Sequence, residues 1–137
     1  MTHDKRAIAF KNMRREHESE AAEDYTELVA DLISDKGVAR TCDIAAHLGI
    51  SHVTALRTIR RLQEQGYLET APHKPVSLTK RGAELAIYCK ERHEILVEFF
   101  ENIGVPKDQA ELDVEGVEHH ISDVTLGYVK KFLNSKK

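Results

Sequence analysis

The sequence predicts a mainly α-helical protein interrupted once by a small β-hairpin. Three observations carry that expectation. Apolar residues recur at helical spacing over most of the 137 residues. Strand-like alternation is confined to the stretch "GYLETAPHKPVSL". A glycine or a capping residue punctuates almost every periodic segment. With 41% hydrophobic and 31% charged residues, the chain reads as a soluble globular protein able to bury a core.

The elements follow in order. Residues 1–15 have weak periodicity and five basic side chains, and read as a mobile basic arm or as a frayed start to the first helix. A first helix is expected from Glu16 to Asp35, with Tyr25, Leu28, Val29, Leu32 and Ile33 as its apolar stripe and Gly37 as its stop. Thr41 is expected to cap a short helix carrying Ile44, Ala45 and Leu48 and ending at Gly49. Ser51 caps the next, with Leu56, Ile59 and Leu62 on one side. Tyr67–Thr70 and Val76–Leu78 form the hairpin around "APHKP". Thr79 caps a long helix to about Asn102, and Gly104 ends it. Pro106 opens a helix over 106–121, and Ser122 caps a last one carrying Leu126, Val129, Phe132 and Leu133.

Two short helices joined at "LGIS" are a helix-turn-helix signal, and a hairpin directly after the second makes it winged. That divides the chain into a winged helix-turn-helix domain, residues 16–80, and an all-α domain, residues 81–137. Charge agrees with the division. Residues 36–81 hold eight basic against three acidic side chains, between flanks that are each four charges acidic. A basic middle calls for an anionic partner, and double-stranded DNA fits a winged helix. The candidate DNA-binding residues are Ser51, His52, Thr54, Arg57, Arg60 and Arg61 on the second helix, Arg40 before the motif and Lys74 at the hairpin tip. Arginine suits both guanine edges and phosphates. The apolar surface of the last two helices calls for a further partner, and a second copy of the chain is the simplest.

The stretch "DVEGVEHHIS" concentrates ligand chemistry. Ala110, Val114, Val117 and Ile121 are expected to share a core face. Glu115, Glu118 and His119, at i, i+3 and i+4, are expected to share a neighbouring one, with His120 pointing elsewhere. Two carboxylates beside an imidazole repel one another unless a cation lies among them. Oxygen-rich ligands with imidazole suit a hard divalent ion such as Mn²⁺. One helix supplies three ligands at most, so His93, Asp24 and Glu27 are the further candidates. A merely solvated acidic face fits the same spacing.

Four stretches, "EDYTELVADLI", "RTCDIAAHLGIS", "ERHEILVEFFENIGV" and "DVEGVEHHIS", resemble the diphtheria-toxin-repressor family of metal-dependent regulators, and most closely its manganese branch. The resemblance runs from about Glu16 to Asn134. It implies Asp24, Glu27, His93, Glu115, Glu118 and His119 as metal ligands, with two Mn²⁺ ions per subunit. It also implies a homodimer that binds operator DNA when metal is bound and represses genes of manganese uptake. The iron branch places methionine at the position of Asp24 and cysteine at that of Glu115, so oxygen at both favours manganese. An iron(II)-responsive or other divalent-metal regulator is the alternative. Val53 stands where relatives often carry proline.

Other classes fit less well. Di-metal enzymes of helical bundles draw a Glu-x-x-His pair from each of two helices, whereas Lys90 stands three residues before His93. No enzyme activity, membrane or small-molecule substrate is therefore expected. No apolar run approaches the roughly 20 residues of a membrane helix, and "MTHDKRAIAFKNMRRE" lacks a signal peptide's apolar centre. Cys42 and Cys89 make no disulfide framework, which favours the cytoplasm.

Overall fold

A computed structural model describes residues 1–137, except for the side chains of His17 and Glu18. Six α-helices, α1 (His3–Lys36), α2 (Thr41–Leu48), α3 (His52–Glu64), α4 (Lys80–Asn102), α5 (Lys107–Val117) and α6 (Asp123–Ser135), accompany strands β1 (Leu68–Glu69) and β2 (Ser77–Leu78). A 3-10 turn, Glu118–His120, follows α5. The predicted class, mainly α with one small hairpin, is the observed one. The chain forms two compact units, residues 20–89 and residues 1–19 with 90–137.

In the unit of residues 20–89, Tyr25, Val29 and Leu32 of α1 pack with Ile44, Ile59, Leu62, Leu68 and Val76. Full burial of one such side chain is worth about 1.5–3 kcal/mol. Gly49 closes α2 with φ 66°, a left-handed conformation that glycine adopts without a Cβ clash. Ser51 then caps α3, its Oγ accepting from the Thr54 N–H at 3.1 Å. In the hairpin Leu68 faces Leu78 and Glu69 faces Ser77 in antiparallel register. The Val76 N–H reaches back to the Ala39 carbonyl at 2.7 Å, which ties the hairpin to the start of the helix-turn-helix.

That tie corrects one expectation. Arg40, extended at φ −100° and ψ 150°, occupies the cap position of α2 without a side-chain bond, and Thr41 is the first helical residue. Pairing at Ala39 holds the chain extended up to this point, so the helix begins where the pairing ends. A larger correction concerns α1, which starts at His3 rather than Glu16. The segment "HDKRAIAFKNMRR" is rich in alanine, lysine and arginine and has no glycine or proline, so propensity extends the helix without an apolar stripe. Thr2 caps it, its Oγ1 accepting from the Lys5 N–H at 3.2 Å.

In the other unit Leu96, Val97, Ala110, Val114 and Leu126 form the core, and Phe99 meets Phe132 edge-on at 5.5 Å. Pro106 precedes α5 as its cap rather than its first residue, and Ser122 caps α6 through the Thr125 N–H at 3.2 Å. The helix expected over 106–121 stops at Val117 and tightens into the 3-10 turn. Ile121 is already extended, at φ −99° and ψ 128°, to lead into the α6 cap, and tightening a last turn is a common way to end a helix. Val117 is consequently exposed and not part of the core. Among the described residues no helix is long and apolar enough to cross a membrane.

The join between hairpin and α4 allows a test. Thr79 Oγ1 lies 2.7 Å from the Gly66 carbonyl and accepts from the Gly82 N–H at 3.0 Å. A Cβ at Gly82 would land on the backbone carbonyl oxygen of Tyr67. Gly82→Ala should therefore cost about 1–3 kcal/mol of stability by overpacking, read as a lower urea midpoint at unchanged slope. An unchanged midpoint would show that α4 can move off the hairpin freely.

Candidate metal centre and nucleic-acid interface

Three of the six candidate ligands converge within one unit. His93 projects from α4, Glu115 from α5 and Glu118 from the 3-10 turn. One ligand atom of each lies within 4.8 Å of the others. Glu118 Oε2 is 2.8 Å from His93 Nδ1, and Glu115 Oε1 is 3.9 Å from the same nitrogen. Glu118 is fully buried, and its other oxygen, Oε1, has no hydrogen-bond partner. His119 Nε2 lies 3.7 Å from that oxygen.

The spacing of Glu115, Glu118 and His119 suggested one shared helical face, and the 3-10 turn changes that. Glu115 stays exposed on α5, whereas Glu118 and His119 are both buried on the turn. His119 therefore flanks the cluster through Glu118 and is not one of its three converging ligands. His120 is exposed, with Nδ1 2.9 Å from Glu16 Oε2. Asp24 and Glu27 stand half-buried on α1, in the unit of residues 20–89. Cys89 is fully buried, and its thiol donates to Glu23 Oε2 at 3.5 Å.

Electrostatics separates Glu118 from an ordinary surface acid. Burial raises its pKa most, and the neighbouring Glu115 carboxylate raises it further. The hydrogen bond and charge of His93, together with His119, pull it down, but the net direction is up. A buried carboxylate with one oxygen lacking a hydrogen bond is costly unless a cation comes to it. Two carboxylates and an imidazole are a donor set for a hard or borderline divalent ion. The residues present fit such an ion.

On the other unit, α3 exposes His52, Thr54, Arg57, Arg60 and Arg61, and Arg40 and Lys74 are exposed as well. Ser51 and Thr54 are partly committed to the helix start, with their hydroxyls 2.9 Å apart. A cleft of about 850 Å³ separates α3 from the hairpin, and Arg40, His52, Arg60, His73 and Lys74 line it. Arg57 and Arg61 lie outside that lining. His73 adopts φ 63° in a turn after Pro72, closed by the Lys74 N–H to the Ala71 carbonyl at 3.0 Å.

Two further residues shape this surface. Gln63 donates to the Thr70 carbonyl at 3.1 Å, fixing the end of α3 to the hairpin. Arg81 donates to the Gln65 carbonyl at 2.6 Å and to the Tyr67 hydroxyl at 2.9 Å, stacked 4.2 Å above the tyrosine ring. Part of the basic surplus thus serves the fold, and no local pattern around Arg81 announces it.

Glu118 yields a pH prediction. A carboxyl whose pKa is raised on folding stabilises the fold below its unfolded pKa, and that contribution is lost as pH rises through the folded value. The metal-free wild type should therefore lose stability from this group as pH climbs from the ordinary carboxylate range towards neutrality. Glu118→Gln should be more stable than wild type at pH 7 in chelator, with the gap closing on acidification. Urea unfolding across pH measures this, and an equal gap at every pH would refute it.

Comparison with known proteins agrees with both halves. Residues 17–76 match the family model described as iron dependent repressor, N-terminal DNA binding domain. Residues 79–137 match iron dependent repressor, metal binding and dimerisation domain. The transcriptional regulator MntR of Escherichia coli O6:H1 is 41% identical over 123 residues, 90% of this chain and 79% of that protein. The HTH-type transcriptional regulator MntR of Lysinibacillus sphaericus is 37% identical over 100 residues, 73% of this chain and 72% of that one. A solved manganese-dependent transcriptional repressor in complex with manganese superposes with a TM-score of 0.75 at 29% identity over 82% of this chain. The chain spans about half the length of that structure, 52%. With its DNA-binding and metal-binding halves both matched, the chain belongs to the MntR/DtxR family of metal-dependent transcriptional regulators.

Proposed function

We propose that this regulator is a homodimeric, manganese(II)-activated repressor that binds operator DNA and controls manganese homeostasis genes. The observation that carries the reading is the buried Glu118 carboxylate, 2.8 Å from His93 and within reach of Glu115. It occurs in a chain whose other unit displays a basic helix-turn-helix and hairpin.

On this reading His93, Glu115, Glu118 and His119, with Asp24 and Glu27, hold two ions per subunit. Bound Mn²⁺ supplies positive charge and directional coordination. Glu118 is already desolvated and pre-placed by its hydrogen bond to His93, so little ordering remains to be done on binding. Asp24 and Glu27 sit on α1, which packs against the helix-turn-helix, and therefore report ligand occupancy to the DNA-binding unit. Oxygen at Asp24 and Glu115 favours manganese over softer ions, although the intrinsic affinity order runs the other way for zinc and copper. A dimer reads half-sites about 34–36 Å apart, so fixing the spacing of two α3 helices is enough to control affinity. A typical coupling of about 1–3 kcal/mol changes affinity roughly 5- to 150-fold.

At the DNA, Arg57, Arg60 and Arg61 on α3 face the major groove, with His52 and Thr54 near its first turn. Arg40 and Lys74 take phosphates from either side of the cleft. Such a protein acts in the compartment that holds the DNA, the cytoplasm.

Binding to the gene's own upstream region, at fixed salt, should become tight only with micromolar Mn²⁺, with anaerobic Fe²⁺ and Zn²⁺ as comparisons. Glu118→Ala should abolish the metal response, and an unchanged response would sink the reading. Arg57→Ala should cost about 1–3 kcal/mol, unequally across operator variants. Lys74→Ala should weaken all sequences alike and lower the slope of log affinity against log salt by about one.

A further inference from the structure

Residues 3–15 are helical, outside both matched domains and exposed throughout. They belong to the same compact unit as residues 90–137. On this segment Arg6, Phe10, Met13 and Arg14 share one face by their i, i+4, i+7 and i+8 spacing. Phe10 is 53% exposed and Met13 47%, and with Arg6 and Ala9 they line a hollow of about 270 Å³. One helix face thus presents an aromatic ring and a thioether bracketed by two guanidinium groups.

The same unit carries a groove of predominantly opposite charge. Between α4 and α5 lies a groove of about 270 Å³, lined by Glu94, Glu98, Glu101 and Glu111 together with Lys107, Val97 and His93 of the metal cluster, so that four carboxylates outnumber one lysine. The lining of neither hollow includes a residue of the other. Residues 1–15 hold five basic side chains and one acidic, and residues 90–137 seven basic and ten acidic.

We propose that residues 3–15 dock into the Glu94–Glu111 groove of a second copy of this chain, as a clasp across the dimer. Arg6 and Arg14 meet the glutamates, and Phe10 packs over the groove's apolar wall at Val97. Glu16, bonded to His120 at 2.9 Å, anchors the base of the clasp on the 3-10 turn. A nucleic acid would take the cations but leave Phe10 and Met13 uncovered, so a protein groove with both carboxylates and an apolar wall is the better match. The clasp rests on the reading of the chain as a homodimer.

The test places the photo-crosslinker benzoylphenylalanine at position 10 of the full chain, mixed with isotopically heavy wild type in Mn²⁺. The expected product joins the light segment 3–15 to a heavy peptide within 94–111. Cross-links confined to light peptides, or formed with operator DNA instead, overturn the clasp. Phe10→Glu, at an exposed helical position, should speed subunit exchange about tenfold, and high salt should speed wild-type exchange more than that of the variant. Unchanged exchange overturns the proposal. The same variant should keep its Mn²⁺-dependent DNA binding above the dimer dissociation constant. Retained binding with unchanged exchange sinks the clasp alone, whereas a wild type without any metal response sinks the reading of function.

Discussion

The metal centre is organised around one constraint, a buried carboxylate. Glu118 is held inside the helical unit with a single imidazole at hydrogen-bond distance and a second acid close by. Desolvation and like-charge repulsion both act against its ionised form, and His93 offsets only part of that. A fold that retains such a group carries a local deficit that a cation can remove. Whatever binds the folded state and not the unfolded one adds stability by mass action, so affinity for a divalent ion and stability of this unit are one linked quantity. The 3-10 turn makes the arrangement possible. Successive residues on it step by a third of a turn, which buries Glu118 and His119 side by side and sends His120 outward to Glu16.

The DNA-binding unit works on the opposite principle, since its charges are kept in water. Arg57, Arg60 and Arg61 stand exposed on α3 while the other side of that helix is sealed by Ile59 and Leu62. What keeps the exposed side rigid is a set of side-chain to backbone bonds at the edges: Ser51 at the start of α3, Gln63 at its end, and Arg81 and Thr79 beneath the hairpin. Each gives a backbone carbonyl or amide a side-chain partner. Rigidity matters because base contacts discriminate only when the donors are already in place.

Much of this was legible in the sequence wherever the cause is local. Ser51, Ser122 and Gly49 act at the helix ends as their chemistry predicts, and the alternation around "APHKP" yields the hairpin. The start of α1 was not legible from periodicity, because residues 3–15 are helical by propensity and by the Thr2 cap without an apolar stripe. Arg40 took the cap position expected of Thr41 because Val76, far along the chain, pairs with Ala39. The 3-10 turn is three residues long, too short to separate a period of 3.0 from 3.6. The candidate ligands were named by residue type and by family resemblance. The approach of His93 to Glu118 across 25 positions is tertiary, and no spacing rule contains it.

On the proposed reading, the magnitudes explain why so small a device suffices. A coupling of about 1–3 kcal/mol between metal and DNA is within what a single buried, half-compensated carboxylate can supply, and it amounts to a modest part of a domain's stability. No wholesale refolding is required. Metal need only shift the population of arrangements in which two α3 helices have the spacing of an operator, and that shift is limited by the difference in metal affinity between arrangements. Reciprocity follows from the same linkage: operator DNA must tighten metal binding by the factor by which metal tightens DNA. A regulator built this way binds its ion with little reorganisation, because its ligand cluster is incomplete in energy while already assembled in space.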